Sequence, residues 1–517
     1  MPKYRIRLKE ISKRELWKQI EAPSHIDSHL VTSQVSRRVI DRIFGFELSP
    51  VLWKALKMGT LSAGRVQSAV LRWICEREKE IRNFQSESYL EIQASIYDQK
   101  DFILTKYDLK DPDALLGIEH QETLKKQYLL DEEGRPSEVT KFTLIDILSK
   151  AYRHPAPKPF TTASLQEYAN KHLSFSPSQT MSLAQSLYEG KKKGKETIGL
   201  ITYMRTDSTR ISEDKKNIGF NYLHTFFPHL SVNQRSQKPR KTIGKQDAHE
   251  AITPTRPDWS PDELNGILKP DELKLYTAIW ERFYQSLLAP ETGLVFTYLF
   301  ESKGQHWKYE EKQVLSPGFL AFKDKAIKIG DGKSRWSKSK QFDLEQIRFE
   351  EKQTKPKERY SIGQIVAKME RTGIGRPSTY SATIETLLKR KYILHVKSRL
   401  GSTSLGERVC DFLVSNCSNL IQDDFTKKLE QDLDELAQGK NDAFQLIDEF
   451  YKGIKKIRFL EVSKKRAMDT KKSTDCPNCL QGTIQSKFAK NGKTIYFCSR
   501  YPKCNFVSYE SPKSNNH

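Results

Sequence analysis

Hydrophobic and polar positions follow two rhythms along this chain, and the rhythm changes in blocks. From Ile26 to Phe44, apolar residues recur at Val31, Val35, Val39 and Ile43, a four-residue step that predicts a helix with those side chains on one stripe. A second helix is expected from about Val66 to Phe84, after the turn between Gly59 and Gly64. Between 86 and 150 the step shortens to two: SYLEIQASIYD and KDFILTKYDL set apolar against polar as half-exposed strands do. Helical spacing returns after the proline-rich break HPAPKPF, His154 to Phe160. In SFSPSQTMSLAQSLYEG, Ser176 suits a cap, Pro177 the first turn and Gly190 the stop. Strand rhythm reappears at 291–350, interrupted by a basic, low-complexity loop around GDGKSRWSKSK, and helical rhythm from about 355 to 460. The run KKRAMDTKKS reads as a solvated linker into a small cysteine-bearing module. Sheet character on both sides of a helical block predicts one sheet domain with another domain inserted into it.

Composition narrows the partner. The chain has 517 residues, room for three or four domains, and 87 Lys+Arg against 65 Asp+Glu leave a net charge of +22. Such an excess points to a polyanion, because each basic group near a phosphate releases condensed counterions. Charge alone leaves nucleic acid, an anionic membrane surface and a merely basic soluble protein open. No apolar run approaches the roughly 20 residues that cross a bilayer, and MPKYRIRLKEISKREL has no apolar signal core. The expected location is therefore cytoplasmic.

Four of the seven cysteines fall in the last 42 residues, as CPNC (Cys476, Cys479) and CSRYPKC (Cys498, Cys504). Two pairs about twenty residues apart can give four thiolates to one tetrahedral zinc. Tyr496, Phe497, Tyr501 and Phe506 lie close by among lysines, a composition suited to stacking on single-stranded DNA.

The segment richest in chemistry is Gly199 to Ser212, GLITYMRTDSTRIS. The run Ile201, Thr202, Tyr203 predicts a short strand, on which Tyr203 and Arg205 point to the same side. A phenol that attacks phosphorus beside a guanidinium that holds the non-bridging oxygens suits phosphodiester chemistry. A free tyrosine has a pKa near 10, so forming phenolate at pH 7 costs about 4 kcal/mol, which neighbouring cations or a proton acceptor must supply. Read without further context, Tyr203 is more simply a buried strand tyrosine.

GLITYMRTDS resembles the active-site signature of the type IA DNA topoisomerases. Four further blocks follow the order found in that family: SRRVIDRIFGFELSPVLW (Ser36 to Trp53), LSAGRVQSAVLRWICEREKEI (Leu61 to Ile81), DAHEAITPT (Asp247 to Thr255) and GIGRPSTYSATIETLLKRKYI (Gly373 to Ile393). With the cysteine module, which is similar to the family's zinc ribbons, the resemblance covers nearly the whole chain. It implies that Tyr203 forms a 5′-phosphotyrosyl link with the cut strand, that Arg205 assists, and that His249 is hydrogen-bonded at the cleavage site without binding metal. It implies DNA contacts from Arg37, Arg38, Asp41, Phe46 and Trp53. The SAGRVQ turn (Ser62, Ala63, Gly64, Arg65, Val66, Gln67), with Arg376 and Thr379, joins that set.

Each block also has a plainer reading. Arg37 and Asp41, four apart, can form a salt-bridged helix face. SAGRVQ can be ordinary helix capping, His249 a structural histidine, and GRPST a turn before a helix.

The fold implied is a mixed α and β, multi-domain, toroidal clamp with winged-helix-like domains, a β-rich arch and a C-terminal zinc ribbon. Its parts would be a helical DNA-binding domain from 1–85 and 355–462, the arch from 86–150 and 291–354, a winged-helix-like domain with Tyr203 at 151–290, and the ribbon at 474–510. The implied activity is ATP-independent: one strand is cut, a strand passes, and the break is resealed, relaxing negatively supercoiled DNA through its single-stranded segments near the nucleoid. No P-loop is present to argue for ATP.

The family begins with a Toprim domain bearing a catalytic glutamate and the Asp-x-Asp ligands of magnesium, and this sequence opens with what resembles the segment after it. Asp111–Asp113 and Asp432–Asp434 do not follow an apolar parallel strand and are not expected to replace those ligands. The expectation is a Toprim domain on a separate polypeptide, truncated away or lost. The rival class is a catalytically incomplete single-strand DNA-binding clamp.

Overall fold

A computed structural model describes residues 4–98, 101–107, 111, 115–193, 196–233, 250–323, 326–464, 476–479, 481–482, 484–488 and 494–508. They divide into two compact units, 1–448 and 449–517, and the architecture is mixed α and β.

The helix expected at Ile26 to Phe44 is longer and turned the other way. It runs from Ser28 to Leu56, capped by the Asp27 carboxylate accepting from the Leu30 amide at 3.0 Å, and it continues through Pro50. The valine stripe is not its buried face: Val31 and Val35 are exposed, while Ser33, Ser36, Ile40, Phe44, Leu48 and Leu52 are buried. At 100° per residue that set lies on the far side of the helix from the valines. The reason is close packing against the helix Asp423–Ala437. Serines let the two backbones approach, and the Ser33 hydroxyl donates to the Leu433 carbonyl at 2.6 Å.

The helix Arg65–Asn83 buries Ala69, Val70, Leu71, Trp73, Ile74 and Cys75 against the helices Tyr380–Lys389 and Ser404–Ile421. Chain segments more than 300 residues apart thus form one helical body.

Six strands close into a barrel: Ser88–Tyr97, Asp101–Lys106, Lys141–His154, Glu291–Ser302, Gln305–Ser316 and Gln341–Gln353. Its interior is filled by Ile92, Ile96, Leu104, Phe142, Tyr298, Phe300 and Trp307, so the strand-rich stretches on both sides of the helical block share one core. The basic loop around GDGKSRWSKSK is exposed or half-buried along its length except at one side chain. Trp336 is buried in the barrel, its indole donating to Asp98 at 2.6 Å, and Lys340 pairs with the same carboxylate at 2.8 Å.

Residues 155–290 leave and re-enter this barrel at one end, where His154 is paired with Glu291 across the sheet. The Glu291 carboxylate is buried there and accepts from Tyr152 Oη at 2.9 Å and Lys312 Nζ at 2.8 Å. Within the inserted segment the helices Thr162–Tyr168, Pro177–Glu189, Glu213–Phe226 and Pro270–Leu287 pack around Phe160, Leu187, Ile201, Leu223, Phe283 and Tyr284. Ser176 caps the second of them, accepting from the Gln179 amide at 3.2 Å, and Gly190 stops it at φ 108°.

In the second unit, strands Ile484–Phe488, Thr494–Cys498 and Val507–Ser508 make a three-stranded sheet. The linker expected at 464–473 lies, from 465 onward, outside the described residues. No helix among the described residues is long and apolar enough to cross a membrane.

Candidate active site and metal centre

The strand expected through Tyr203 is an extended segment with a single bridge, Ile201 to Pro254. No ladder forms because threonine hydroxyls take the backbone groups. Thr202 Oγ1 donates to the Ala251 carbonyl at 2.7 Å, and Thr162 Oγ1 donates to the Met204 carbonyl at 2.7 Å and accepts from the Thr206 amide at 2.9 Å. The Tyr203 amide donates to the Lys9 carbonyl at 2.8 Å. The alternation predicted for a strand survives: Thr202, Met204 and Thr206 are buried, Tyr203 is half-buried and Arg205 exposed. The Tyr203 ring meets Tyr188 edge-on at 5.4 Å, and burial, then the neighbouring Tyr203, push the Tyr188 hydroxyl above its ordinary pKa.

Tyr203 and Arg205 open onto a cavity of about 330 Å³ that Arg37, Arg376 and Asp434 also line. Three stretches far apart in sequence therefore bring a phenol and three guanidiniums to one cavity. A second cavity of about 640 Å³ is also lined by Tyr203, together with Arg5, Arg7, Lys9 and Glu250.

Glu430 sits under the arginines with its side chain 1% exposed. It pairs with Arg65 at 2.8 Å, with Arg376 at 3.1 Å and with Arg37. Burial pushes the Glu430 carboxyl up, but the guanidiniums of Arg65, Arg37 and Arg376 together outweigh it and hold it below its usual range. Asp434, one turn on, accepts from Arg376 at 2.7 Å. There burial prevails over Arg376 and Arg37, and the carboxyl lies above its usual range.

These contacts revise several expectations. Arg37 pairs with Glu430 and not with Asp41, its neighbour four residues on; Asp41 accepts instead from Arg65 Nε at 3.2 Å. Arg65, expected to touch a DNA strand, is itself buried, paired with the buried Glu430 and with the exposed Asp41. The physical reason is that Glu430 is sealed in the helical core and needs cationic partners there. The Thr379 hydroxyl is occupied locally, accepting from the Arg376 amide at 2.9 Å and donating to its carbonyl at 3.0 Å, so it shapes the turn that carries Arg376. Ala63 is buried, whereas Ser62, Gly64, Val66 and Gln67 are half-buried around the start of the helix Arg65–Asn83.

Arg38 and Phe46 are exposed, and Phe46, Trp53 and Ser62 share a groove of about 350 Å³ with Arg42 and Arg390. The Trp53 indole donates to the Leu61 carbonyl at the edge of that groove. Asp113, Asp247 and His249 lie outside the described residues. Glu250, next to His249, pairs with Lys9 at 3.4 Å and with the buried Lys215 at 3.6 Å. Sequence reading missed Glu430, Asp434, Lys215 and Arg390. The first two show only as a carboxylate pair at helical spacing, with nothing to link them to arginines 54 to 393 residues away.

The four cysteines of the second unit converge, with their sulfurs all within 4.8 Å of one another. Cys476 and Cys504 are 3.8 Å apart, and Cys479 and Cys498 3.6 Å. Tetrahedral zinc with Zn–S near 2.3 Å needs sulfurs about 3.8 Å apart, so the set fits a metal ion. Gly482 is part of the fit, because a Cβ there would stand 2.5 Å from Cys498 Sγ. The Gln481 amide is the main cause that brings the Cys479 thiol down to about 7, toward the thiolate that binds metal, while burial pushes Cys498 up to about 12. Among the described residues this is the one group of three or more side chains placed to hold a metal.

Comparison with known proteins agrees with this geometry. The profile of the DNA topoisomerase family matches residues 25–448. DNA topoisomerase 1 of Thermotoga maritima is 36% identical over 460 residues, covering 88% of this chain and 69% of that protein. DNA topoisomerase 1 of Rickettsia typhi is 34% identical over 545 residues, covering 99% of this chain and 68% of its own length. The solved structure of full-length topoisomerase I from Thermotoga maritima superposes with a TM-score of 0.79 at 31% identity, over 99% of this chain and 81% of that one. A chain similar to these enzymes over most of its length, with a tyrosine and three arginines around one cavity, belongs to the bacterial type IA DNA topoisomerases, isomerases that bind DNA.

Proposed function

We propose that this chain cuts and reseals one strand of DNA, with Tyr203 as the nucleophile. The observation that carries the reading is the shared wall of Tyr203, Arg205, Arg37 and Arg376. In the reaction the phenol oxygen bonds to phosphorus, and the 3′-oxygen of the neighbouring nucleotide leaves and takes a proton. A 5′-phosphotyrosyl ester remains, and attack by the same 3′-hydroxyl reverses the step. Because the ester conserves the bond, resealing needs no ATP. Arg205 is assigned to the non-bridging oxygens, where a fork of donors is worth most in a partly enclosed site. Phe46 and Trp53, exposed beside Arg42, suit the bases and phosphates of an unpaired strand, and net relaxation of negatively supercoiled DNA follows from passing a strand through the break. The location that suits this reading is the cytoplasm, at the nucleoid.

The domains follow the same reading: a helical body around 1–85 and 355–462, an arch at 86–150 and 291–354, the winged-helix-like carrier of Tyr203 at 151–290, and the ribbon at 474–510 holding zinc. His249 is assigned to the cleavage site through its neighbour Glu250, which lines the second Tyr203 cavity. The described residues supply no carboxylate cluster that fits magnesium. We assign magnesium and the acid that protonates the leaving oxygen to a Toprim domain, and general acid catalysis is worth about 10²- to 10⁴-fold.

The test mixes the chain with a Toprim fragment, magnesium and an end-labelled single-stranded oligonucleotide, then denatures the protein. Label that migrates with the chain, and is lost in Tyr203→Phe, is the expected result. No adduct under any of these conditions, with tight salt-sensitive binding retained, would leave a DNA-binding clamp in place of the enzyme.

A further inference from the structure

Glu430 and Asp434 lie one turn apart on the helix Asp423–Ala437, on the face turned toward the arginines. Glu430 does not line the Tyr203 cavity and its side chain is sealed from solvent, yet its carboxylate takes Arg37 and Arg376, both of which line that cavity. Asp434 differs: its side chain is 25% exposed, it lines the cavity itself, and it grips the Nη2 edge of Arg376 at 2.7 Å. A guanidinium presents a limited fork of donors. Arg376 spends Nη1 on the Gly375 carbonyl at 2.8 Å and on the Glu430 carboxylate at 3.1 Å, and Nη2 on the Glu430 backbone carbonyl at 3.2 Å and on Asp434 at 2.7 Å; of these partners Asp434 is the one that lines the cavity.

We propose that these two carboxylates are positioning residues of opposite effect. Glu430 aims Arg37 and Arg376 into the Tyr203 cavity, and Asp434 occupies Arg376 until a DNA phosphate displaces it. This rests on reading that cavity as the place of the phosphodiester. The logic is that of an internal counterion. A buried carboxylate with three guanidiniums fixes their stems, since neither partner can leave without stranding a charge. A half-buried carboxylate on the outer edge can be released to water, because its exposed oxygen is already solvated. The outer acid keeps Arg376 paired in the absence of DNA and makes phosphate compete for it.

The two roles predict opposite signs where a simple charge argument predicts one. Removing either negative charge raises the positive field of the cavity, so field alone would tighten binding in both variants. Positioning predicts that Glu430→Gln weakens binding, because Arg37 and Arg376 lose the anchor that orients them, and that Asp434→Asn tightens it.

The measurement is fluorescence anisotropy of a labelled single-stranded oligonucleotide against the full chain at low salt, in a Tyr203→Phe background so that no covalent adduct forms. Asp434→Asn is expected to bind about threefold to tenfold more tightly, as one charge-assisted competitor is removed. Glu430→Gln is expected to bind about tenfold or more weakly, with Glu430→Asp, which keeps the charge, between it and the unsubstituted chain. Equal or weaker binding by Asp434→Asn overturns the proposal, as does equal or tighter binding by a folded Glu430→Gln. Should Glu430→Gln fail to fold, Glu430→Asp takes its place: it keeps the charge, so field alone predicts no change, weaker binding supports the positioning role, and equal or tighter binding overturns it. If the unsubstituted chain does not bind the oligonucleotide at all, it is the reading of the cavity that fails, and the assignment of the two carboxylates fails with it.

Discussion

The cysteine cluster and the arginine cavity are built in opposite ways. The four cysteines lie within 29 residues of sequence, and their convergence needs only a three-stranded sheet and one tight approach at Gly482. The cavity draws Arg37, Tyr203, Arg205, Arg376 and Asp434 from across nearly 400 residues, and it exists only when two distant helical segments pack together and the inserted segment packs against the helical body. A site written locally depends on its own ligand to stay folded. A site assembled by tertiary packing depends on the core beneath it, which here contains a buried carboxylate and two of its arginine partners. Damage should therefore stay local in the first region and spread in the second.

The largest effect tests the first half of that contrast. Structural zinc contributes about 10–16 kcal/mol of apparent binding energy to small ribbons. Cys476→Ser, or a strong chelator, is therefore expected to abolish zinc binding and the slow amide exchange of residues 494–508. The melting transition of the 1–448 unit should stay where it was. Elemental analysis with hydrogen exchange reads both, and a downward shift of the main transition would show that the two regions are not independent.

The next effect tests the second half. Breaking a buried ion cluster by removing one partner costs about 3–5 kcal/mol, so Glu430→Ala should lower the urea midpoint of the whole 1–448 unit. The effect has a pH signature. The folded Glu430 carboxyl is held below its value of 4.5 in the free side chain, so its contribution is complete above that pH and fades as pH falls through the folded value. The gap between the unsubstituted chain and Glu430→Gln should close between pH 5 and strongly acidic conditions. Asp434, displaced upward by burial, has the reverse sign: its charged form costs stability, and Asp434→Asn should raise the midpoint at neutral pH. A gap that widens in acid would contradict the assignment of Glu430.

The smallest effect lies between the two regimes. Thr162→Val removes a buried hydroxyl that serves the Met204 carbonyl and the Thr206 amide, at a cost of about 1–3 kcal/mol. Exchange at the amides of 202–206 should speed up more than the global stability loss explains. Uniform acceleration across the inserted segment would mean that the threonine bracket is part of the general core.

Sequence showed the chemistry of this chain better than its packing. The Tyr203 and Arg205 pair, the cysteine pairs and the Ser176 cap were legible because each is decided within a few residues. The face of the long helix was not. Four-residue spacing of valines pointed one way, and two serines able to let a neighbouring helix approach decided the other. The buried pairing of Arg65 was hidden for the same reason: a basic residue at a helix start suits a phosphate, and only the fold places the buried acid of residue 430 beside it. The loop with Trp336 shows the converse, since one large aromatic ring is buried in the barrel core while its basic neighbours stay at the surface.

The junction of the inserted segment has a mechanical consequence. His154 ends one strand and Glu291 begins the next, side by side at the same end of the barrel. Tension on Tyr203, as from a DNA end tied to it, would reach the barrel through these two strands at once and in the same direction. The pair would not slide past each other. The load would fall as shear chiefly on Gln305–Ser316, the outer neighbour of Glu291–Ser302, which is paired along nearly its whole length, and far less on Gln341–Gln353, which meets Lys141–His154 at Gln341, Phe342 and Asp343 alone. An attachment loaded in this way withstands being pulled out, because many hydrogen bonds must break together.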